Sequence, residues 1–351
     1  MRRFDVSHLN EVMPKVSIII PNLNGKKFIE RCLNAVMATD YPDFEIIIID
    51  DVSTDGSIEI AEKSYGSNPR IRIIRNKKTL GAAGTRNVGI SASHGDIIVS
   101  LDNDGKVFPN WLKELVKVIR SDPNIGAAQS KMISFDGKRL MCAGEWIIPY
   151  LGWPIVVGAH ENDISAYDKV TDILASGGAV AFKREVTYKI GHFDSKLLHL
   201  QFEDLDFSWR IWIAGYRVVL APKSVLHHEG SWTVLTLSKY KWANYITQRN
   251  CIRVLIKNHG LKNLTKYLPT SIAGMSFRAL FHLIKRKDPY LILALLKAIL
   301  WNLANLRDTM NERSKVQYLL RTVSDDYIMK RIGILLPPGY IYREFLRKGR
   351  V

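Results

Sequence analysis

The chain has 351 residues, of which 47% are hydrophobic and 24% charged, and this balance excludes a disordered protein while allowing one large core or two smaller ones. Its three cysteines, Cys32, Cys142 and Cys251, fit no zinc or redox spacing, so we expect buried free thiols in a reducing compartment. Residues 1–14 lack the apolar core of a signal peptide, and no uncharged apolar run reaches about 18 residues, so no membrane span is expected.

The net charge of +16 lies entirely in the last third of the chain. Residues 1–230 hold 28 basic and 28 acidic side chains, whereas residues 231–351 hold 22 basic and 6 acidic ones. This asymmetry indicates a neutral body followed by a basic, helix-rich tail that meets or tolerates something anionic: phospholipid, a lipid phosphate or nucleic acid. Basic motifs interleaved with aromatic residues are not evident, so nucleic acid is not expected as a partner.

Short apolar strands alternate with amphipathic helices along the body of the chain. The predicted strands of its first part span residues 16–20, 44–49, 71–74 and 97–101. This alternation indicates a mostly parallel sheet with right-handed crossovers, so the loops after the first, second and fourth strands gather at one edge. Those loops hold Asn24, Asp51, Asp102 and Asp104. No glycine-rich dinucleotide loop or Walker motif follows a strand, so we expect any phosphate to be held through a cation.

Asp102 and Asp104 lie just beyond the fourth predicted strand and flank a single residue. Ligands of open α/β sheets bind in the crevice at the carboxyl ends of the strands, and two hard oxygen donors suit a divalent ion that also carries water and phosphate oxygens. A simple polar turn is the alternative interpretation, because Asp-Asn-Asp-Gly is also favourable turn chemistry.

Glycines and histidines mark a second polar region, between residues 175 and 233. Gly177 and Gly178 precede a predicted strand at 179–182 and permit close approach of a ligand. His227 and His228 follow a short predicted strand at 218–221. Either histidine alone is more often a satisfied surface or core residue than a ligand.

A helix predicted to begin near Phe202 and to stop at Gly215 carries Glu203, Asp204 and Asp206 in its first turn. Acids in a first turn are commonly partners of the helix dipole, each worth about 0.3–1 kcal/mol. Three of them around a buried aromatic face exceed what capping needs, so a catalytic role for one is the alternative.

Several segments of the body follow one another in a recognisable order and spacing. They are Val-Ser-Ile-Ile-Ile-Pro-Asn-Leu-Asn-Gly from residue 16, Ile-Ile-Ile-Ile-Asp-Asp-Val-Ser-Thr-Asp-Gly-Ser from 46, Gly-Ala-Ala-Gly-Thr-Arg-Asn-Val-Gly-Ile from 81, Leu-Asp-Asn-Asp from 101 and Phe-Glu-Asp-Leu-Asp-Phe-Ser-Trp-Arg from 202. This series resembles glycosyltransferase family two over residues 15–235. Ser-Gly-Gly-Ala-Val-Ala-Phe-Lys-Arg-Glu and Gly-His-Phe-Asp are most similar to the branch that includes rhamnosyltransferases. The resemblance implies a GT-A fold, a nucleotide-sugar donor, Mn²⁺ or Mg²⁺, and inversion at the anomeric carbon.

The resemblance also implies roles for individual residues on the donor side. Those residues are Pro21, Asn24, Asp51, Arg86 and Asp102. Pro21, Asn24 and Asp51 would surround the base and ribose, with Asp51 accepting from a uracil or thymine imide, while Arg86 would lie near the diphosphate. This chain departs from the family pattern at Leu23, where an aromatic residue often stacks on the base, and at Val52, where glycine is common.

Metal-binding, catalytic and acceptor-binding residues are implied in the same way. The resemblance assigns Asp102, Asp104 and His227 to the metal, Asp204 to the general base, Glu203 to positioning of the acceptor or base, and Gly177 and Gly178 to the acceptor. His227 matches a histidine that helps hold the metal only in some members.

The tail is less diagnostic than the body. Its predicted helices span residues 240–255, 262–268, 270–284 and 291–306, with basic Lys285-Arg286-Lys287 between the last two. Apolar helices flanked by basic residues suit a peripheral position on the cytoplasmic face of an anionic membrane. Packing against the catalytic domain or in a homodimer is the alternative, because core and interfacial helices share this composition.

The sequence therefore predicts an N-terminal extension at 1–14, a GT-A catalytic domain at 15–235 and a basic helical region at 236–351. The expected activity is metal-dependent, inverting transfer of a sugar from a UDP- or dTDP-linked donor to a lipid-linked or glycan acceptor hydroxyl at a membrane surface. One alternative is a polyprenyl-phosphate sugar synthase of the same fold. The other is a non-catalytic basic module that binds membrane or nucleic acid, against which the carboxylate clusters argue.

Overall fold

The structure of the chain is a computed structural model, and it describes residues 13–159, 161–169, 171–197, 202–229 and 242–336. Its main sheet has nine strands, in the order β3-β2-β1-β4-β10-β6-β11-β5, with β7 paired to β6. The strands are β1 Val16–Asn22, β2 Phe44–Asp50, β3 Ile71–Arg75, β4 Ile97–Leu101, β5 Gly105–Val107, β6 Ile125–Ile133, β7 Leu140–Cys142, β10 Ala179–Lys183 and β11 Arg217–His228; β8 Glu145–Ile148 and β9 Trp153–Val156 form a separate hairpin.

Helices connect and cover these strands. They are α1 Ile29–Met37, α2 Ser57–Tyr65, α3 Gly81–Ala92, α4 Trp111–Arg120, α5 Arg184–Ile190, α6 Glu203–Ile213, α7 Trp242–Asn258, α8 Leu261–Arg286, α9 Tyr290–Ala304, α10 Leu306–Ser314 and α11 Asp325–Ile332. A π-helical turn, Lys315–Leu320, follows α10.

The predicted parallel arrangement of the first four strands is confirmed. β1 pairs in parallel with both β2 and β4, and β2 pairs in parallel with β3, so their carboxyl ends meet at one edge. The strands are apolar throughout because both faces are covered: Ile46 and Ile48 point into one core cluster, while Ile47 and Ile49 point into the other. Beyond β4 the sheet becomes mixed, since β10 runs antiparallel to its neighbours.

β11 is longer than the predicted strand at 218–221. The prediction ended at Pro222, which cannot donate a hydrogen bond within a sheet. The structure accommodates the proline with a register shift between Ala221 and Val225, after which pairing with β6 resumes up to His227. Both histidines therefore lie on a strand rather than in a loop.

The tail begins with a helix that belongs to the core of the body. Cys251, Val254 and Leu255 of α7 lie in the same apolar cluster as Trp209 and Trp212 of α6. The predicted boundary between residues 235 and 236, and most of the predicted extension at 1–14, lie outside the described residues. As expected, Cys32, Cys142 and Cys251 are buried free thiols.

α8 corrects the prediction of two helices separated at Pro269. It runs through the proline as one helix of 26 residues. A proline inside a helix removes one backbone hydrogen bond, which favours a break. Here the next turn is anchored elsewhere: the Thr270 hydroxyl donates to the Tyr150 carbonyl at 2.8 Å, and the Ser271 hydroxyl to the Leu151 carbonyl at 2.6 Å. These contacts to the β8–β9 hairpin hold the helix in line.

Candidate active site

A cavity of about 400 Å³ opens at the carboxyl ends of β1, β2 and β4, where the sequence predicted the polar loops to gather. The residues that line it include Pro21, Asn22, Asp51, Gly81, Arg86, Asp102, Asp104, Met132, Glu145, Val156, Ser176, Gly177, Gly178, Glu203, Asp204 and His228. It thus brings together nearly all the site residues that the sequence predicted, from six different segments of the chain.

Arg86 lies at the centre of this cavity, buried on α3. Its guanidinium contacts Asp102 at 3.1 Å, Glu203 at 3.2 Å and Asp204 at 3.8 Å. A fourth contact, to the Ser100 hydroxyl at 3.0 Å, fixes the plane of the group. Burial acts to lower the pKa of Arg86, but the three carboxylates raise it above its ordinary value. Arg86 is therefore a permanent cation that gathers three acids; its predicted contact with a diphosphate stays a prediction.

Asp102, Asp104 and His228 form a group that could hold a metal ion, with one ligand atom from each lying within 4.8 Å of the others. The His228 Nε2 lies 3.1 Å from an oxygen of Asp104 and 3.8 Å from one of Asp102. The predicted pair of aspartates is thus completed by a nitrogen ligand. Two carboxylates and an imidazole match the donors that Mn²⁺ accepts.

The third member of this group is His228, which corrects the predicted His227. The ring of His227 turns away, with its Nδ1 2.8 Å from the Ser134 carbonyl oxygen and its face near Phe108 and Phe135, at centroid distances of 5.0 and 5.4 Å. Successive side chains of a strand point to opposite faces. Because β11 continues past Pro222, His228 lies on the same face of the strand as buried Leu226, whereas His227 lies on the other face. This alternation along the strand was the signal that could have identified His228.

The electrostatics of the group favour a cation between the aspartates. Burial acts to lower the pKa of His228, but hydrogen bonds and charge from Asp102 and Asp104 raise it to about 10. Burial acts to raise the pKa of Asp102, but His228 and Arg86 hold the pKa of that carboxyl well below its usual range. The aspartates therefore retain a proton on the imidazole at neutral pH. A divalent ion would replace that proton and leave the histidine neutral, as a ligand must be.

Gly177 and Gly178 support the aspartates through their backbone. Both have positive φ, of 58° and 71°. The Gly178 amide donates to Asp102 Oδ2 at 2.9 Å, while the Asp102 amide donates to the Gly178 carbonyl at 2.8 Å. A Cβ on Gly178 would displace the flexible side chain of Met132, and the positive φ disfavours any residue other than glycine there. The glycines line the cavity, and their predicted contact with the acceptor stays a prediction.

The first turn of α6 divides its acids between two faces. Glu203 and Asp204 face the cavity and Arg86, whereas Asp206 points away and is fully buried. The turn is preceded by Phe202 with φ of 77°, a left-handed conformation that a bulky residue rarely adopts and that aims the two cavity acids. One oxygen of Glu203, Oε2, is buried without a hydrogen-bond partner among the described residues.

Asp204 has the electrostatics of a general base. Its burial, together with the charges of Glu203 and Asp102, raises its pKa to about 7 against the opposing effect of Arg86. A base works best when its pKa lies near the operating pH, because it is then deprotonated yet still basic. The Asp102 and Asp204 carboxylates both lie beside Gly177, since a Cβ there would be 3.1 Å from Asp102 and 3.6 Å from Asp204. Asp204, the predicted base, thus adjoins the group that could hold a metal ion.

Asp51 and Asn24 differ in how well their positions fit the predicted donor site. Asp51 lines the cavity and accepts from the backbone amides of Leu80 and Gly81, at 2.8 and 2.9 Å, at the positive end of α3. Asn24 turns outward, where it accepts from the Thr54 amide at 2.9 Å. Asn22 lines the cavity instead, but its buried side chain is hydrogen-bonded to Asp50, Ser57 and Asn103. Pro21 lines the cavity as predicted.

Glu145 is a cavity residue that the sequence analysis did not identify. It opens β8 and accepts from the Ser176 hydroxyl at 2.8 Å. Burial, with the charges of Asp204 and Glu203, raises its pKa to about 8 despite that hydrogen bond. The only local signal was an acid next to Gly144 at the start of an otherwise apolar hairpin. Sequence reasoning could not place it in the cavity because the β8–β9 hairpin lies outside the main sheet.

The fold and the site together define an α/β protein of GT-A type. Residues 17–191 match the model of "Glycosyl transferase family 2", and the chain belongs to that family. It is 29% identical over 244 residues to polypeptide N-acetylgalactosaminyltransferase 10 of Rattus norvegicus, a match that covers 64% of this chain and 40% of that protein. The chain spans 25% to 40% of the length of the first four curated relatives that it matches.

Two solved structures share the fold. The chain superposes on GalNAc-T7 with UDP, GalNAc and Mn²⁺ with a TM-score of 0.62 and 18% identity, covering 96% of this chain and 59% of that one. It superposes on the mannosyltransferase PcManGT from Pyrobaculum calidifontis, in complex with GDP-Man and Mn²⁺, with a TM-score of 0.52 and 20% identity, covering 84% and 88%. At this level of identity the likeness establishes the GT-A fold.

Proposed function

We propose that this chain is an inverting, metal-dependent glycosyltransferase that moves a sugar from a nucleotide-sugar donor to the hydroxyl of a lipid-linked or glycan acceptor. One observation carries the proposal. A group able to hold a divalent ion, Asp102, Asp104 and His228, lies beside a carboxylate suited to a general base, Asp204, in a single cavity. The two structures that share the fold, each in complex with a nucleotide or nucleotide sugar and Mn²⁺, agree with it.

The donor end of the cavity would lie at β1, β2 and α3. Asp51 is already oriented by the two amides at the start of α3, and a carboxylate so oriented can accept from a base imide with its remaining lone pairs. A divalent ion held by Asp102, Asp104 and His228 would stabilise the charge that develops on the leaving diphosphate. A UDP- or dTDP-type donor is the form that fits an imide at Asp51.

The acceptor end would lie between Asp204 and the β8–β9 hairpin. As the acceptor oxygen forms its bond to the anomeric carbon, the bond to the diphosphate breaks and its electron pair leaves with the nucleoside diphosphate. Asp204 takes the acceptor proton in the same step, which inverts the anomeric carbon because attack comes from the face opposite the leaving group. Arg86 holds Glu203 and Asp204 in place while this proton moves.

Binding and turnover of donor analogues test the proposal directly. Calorimetry with UDP, dTDP and GDP should give saturable binding of at least one diphosphate that requires Mn²⁺ or Mg²⁺. A screen of the corresponding nucleotide sugars should then reveal metal-dependent hydrolysis of one of them. If no nucleoside diphosphate binds with either ion, the proposed function is wrong. Binding that is equal with and without metal would remove the assigned role of Asp102, Asp104 and His228.

A further inference from the structure

The outer faces of the neighbouring helices α8 and α9 each carry a series of exposed apolar side chains. On each helix these residues recur at intervals of three and four, which places them on one face, and each is more than half exposed. They are Phe277, Leu280 and Ile284 on α8 and Leu293, Leu296, Leu300 and Leu303 on α9. We call these residues the apolar face. Isolated exposed leucines are ordinary, but so large an aligned set marks a binding surface.

The apolar face is not needed to hold the helices on the protein. α9 packs against α7 with its opposite side, through Ala294 and Ala298. That side is fixed by polar contacts as well: the Asn302 amide donates to the Arg249 carbonyl at 3.0 Å, and the Arg249 guanidinium lies 4.6 Å from the ring centroid of Trp301. The outer leucines therefore project from a helix that is firmly seated on the body.

The geometry favours a helix pair that lies on a surface over one that crosses a membrane. Within the part of the chain that the structure describes, no single helix has both the length and the apolar character to span a bilayer. Two consecutive helical segments reach that length and apolar character only together, and they are bent by 64° relative to each other: Tyr290–Ala304 and Leu306–Leu320. The inner side of α9 is occupied by α7. Helix α9 therefore exposes only its outer face, as a helix lying in a membrane interface does.

Cations border the apolar face. Lys285 and Arg286 end α8, Lys287 begins the turn to α9, and all three are exposed; Lys297 is exposed among the leucines of α9. Within the described ranges none of these four side chains forms an ion pair. A second copy of the chain would bring the same cations against each other, whereas anionic headgroups would neutralise them. Charge thus distinguishes between the two ways of covering the apolar face.

We infer that the apolar face and the Lys285–Lys287 segment dock this protein on an anionic lipid surface. The inference does not depend on the proposed function. Helix α8 supports one wall of the cavity, because Ser271 and Arg278 contact the β8–β9 hairpin at Leu151 and Trp153. Glu145 of the same hairpin lines the cavity. If the proposed function also holds, docking therefore favours one class of acceptor. A lipid-linked acceptor would then be presented from the surface on which the enzyme sits.

Vesicle flotation with the whole chain tests the docking. The protein should float with vesicles of phosphatidylcholine and phosphatidylglycerol at low salt, should dissociate at high salt, and should not float with phosphatidylcholine alone. The double variant Leu296→Glu/Leu300→Glu should lose flotation. The matched control is Tyr188→Glu, which changes a side chain on α5 that is even more exposed than the two leucines and should float like the wild type.

A second pair of variants tests the charge. Replacing Lys285, Arg286 and Lys287 by glutamine should weaken binding to anionic vesicles by about 100-fold. Replacing Lys77 and Lys78, also exposed but far along the chain in the loop before α3, should leave binding nearly unchanged. A wild type that fails to float at low salt would overturn the inference. So would leucine variants that float normally but change from dimer to monomer in sedimentation, since a second copy would then cover the face.

The same variants separate this inference from the proposed function. Metal-dependent binding of a nucleoside diphosphate should be identical in the wild type, the double leucine variant and the glutamine variant, because none of the changed residues lines the cavity. Absence of that binding in the wild type would contradict the proposed function alone. Loss of flotation in the wild type would contradict docking alone.

Discussion

Two groups of buried charges meet at α6, and they differ in balance. On the cavity side, Glu203 and Asp204 share Arg86 with Asp102, so three carboxylates compete for one guanidinium. On the opposite side, the carboxylates of Asp194 and Asp206 meet three cations, Arg210, Arg253 and Lys257, of which Arg253 is shared with the more exposed Asp308.

This difference in balance appears in the pKa values. On the opposite side, burial acts to raise the pKa of Asp194 and of Asp206, but Lys257, with Arg253 or Arg210, lowers both. On the cavity side, burial and neighbouring carboxylates raise the pKa of Asp204 to about 7, because Arg86 is shared. A fully compensated acid stabilises the fold, whereas an under-compensated one is available for chemistry or for a cation. The comparison supports a structural role for one face of α6 and agrees with the proposed catalytic role of the other.

The same substitution on the two faces of α6 should therefore have opposite effects. Asp204→Asn keeps the size of the side chain but cannot accept a proton, so transfer should fall by about 10²–10⁴-fold. The melting temperature should stay the same or rise, because one charge of an under-compensated cluster is removed. Single-turnover transfer and a melting curve on this variant measure both quantities. Near-normal transfer with a lowered melting temperature would reject Asp204 as the base.

Asp206→Asn is the matched change two residues along the helix. It removes a carboxylate that accepts from Arg210 at 2.9 Å, Lys257 at 2.8 Å and Asn258 at 3.0 Å. Breaking such a buried network should lower the free energy of unfolding by about 3 kcal/mol. This value is at the low end of the range for buried ion pairs, because Lys257 still has its ion pair with Asp194 in the variant. Urea denaturation measures this loss. An unchanged midpoint would mean that the network does not stabilise the fold.

The two neighbouring histidines provide a second matched pair. His228→Asn should weaken binding of Mn²⁺ and of the metal-dependent nucleoside diphosphate by at least about 10-fold, because it removes the nitrogen ligand beside Asp104. His227→Asn should leave both affinities nearly unchanged, since that ring faces Phe108 and Phe135. Calorimetry on both variants gives the affinities. Equal losses would show that the cluster is not the metal site.

Much of this site could be predicted from the sequence, because its residues come at the ends of strands whose apolar runs are unambiguous. β4 was predicted at its observed bounds, and that alone placed Asp102 and Asp104 at the edge of the sheet. His228 was missed because Pro222 concealed the continuation of β11, and with it the parity of the two histidines.

Glu145 and the split of the α6 acids depend on contacts that no local pattern records. Glu145 is held at the cavity by residues far along the chain: its backbone pairs with Leu174, and its carboxylate accepts from Ser176. Asp206 faces inward because Lys257 of α7, far along the chain, lies there to receive it. Local sequence places three acids in one turn, and only tertiary structure decides which of them is compensated.

Lowering the pH should separate the two faces of α6 within one protein. Asp204 acts as a base only when deprotonated, so transfer should fall about tenfold per pH unit below its pKa of about 7, given saturating metal.

The stability contributed by Asp194 and Asp206 should respond to pH differently. Their folded-state pKa values are depressed, so this stability is fully present above the unfolded pKa of about 4 and is lost only as pH falls towards the folded-state values. At pH 5, transfer should thus be reduced about 100-fold, while the melting temperature should be at least as high as at pH 8, because the folded-state pKa values of Asp204 and Glu145 are raised and their protonation adds stability. A pH–rate profile recorded beside melting curves gives both limbs. If activity and melting temperature fell together between pH 7 and 5, loss of the fold would explain the profile, and the distinction between a catalytic and a structural face would fail.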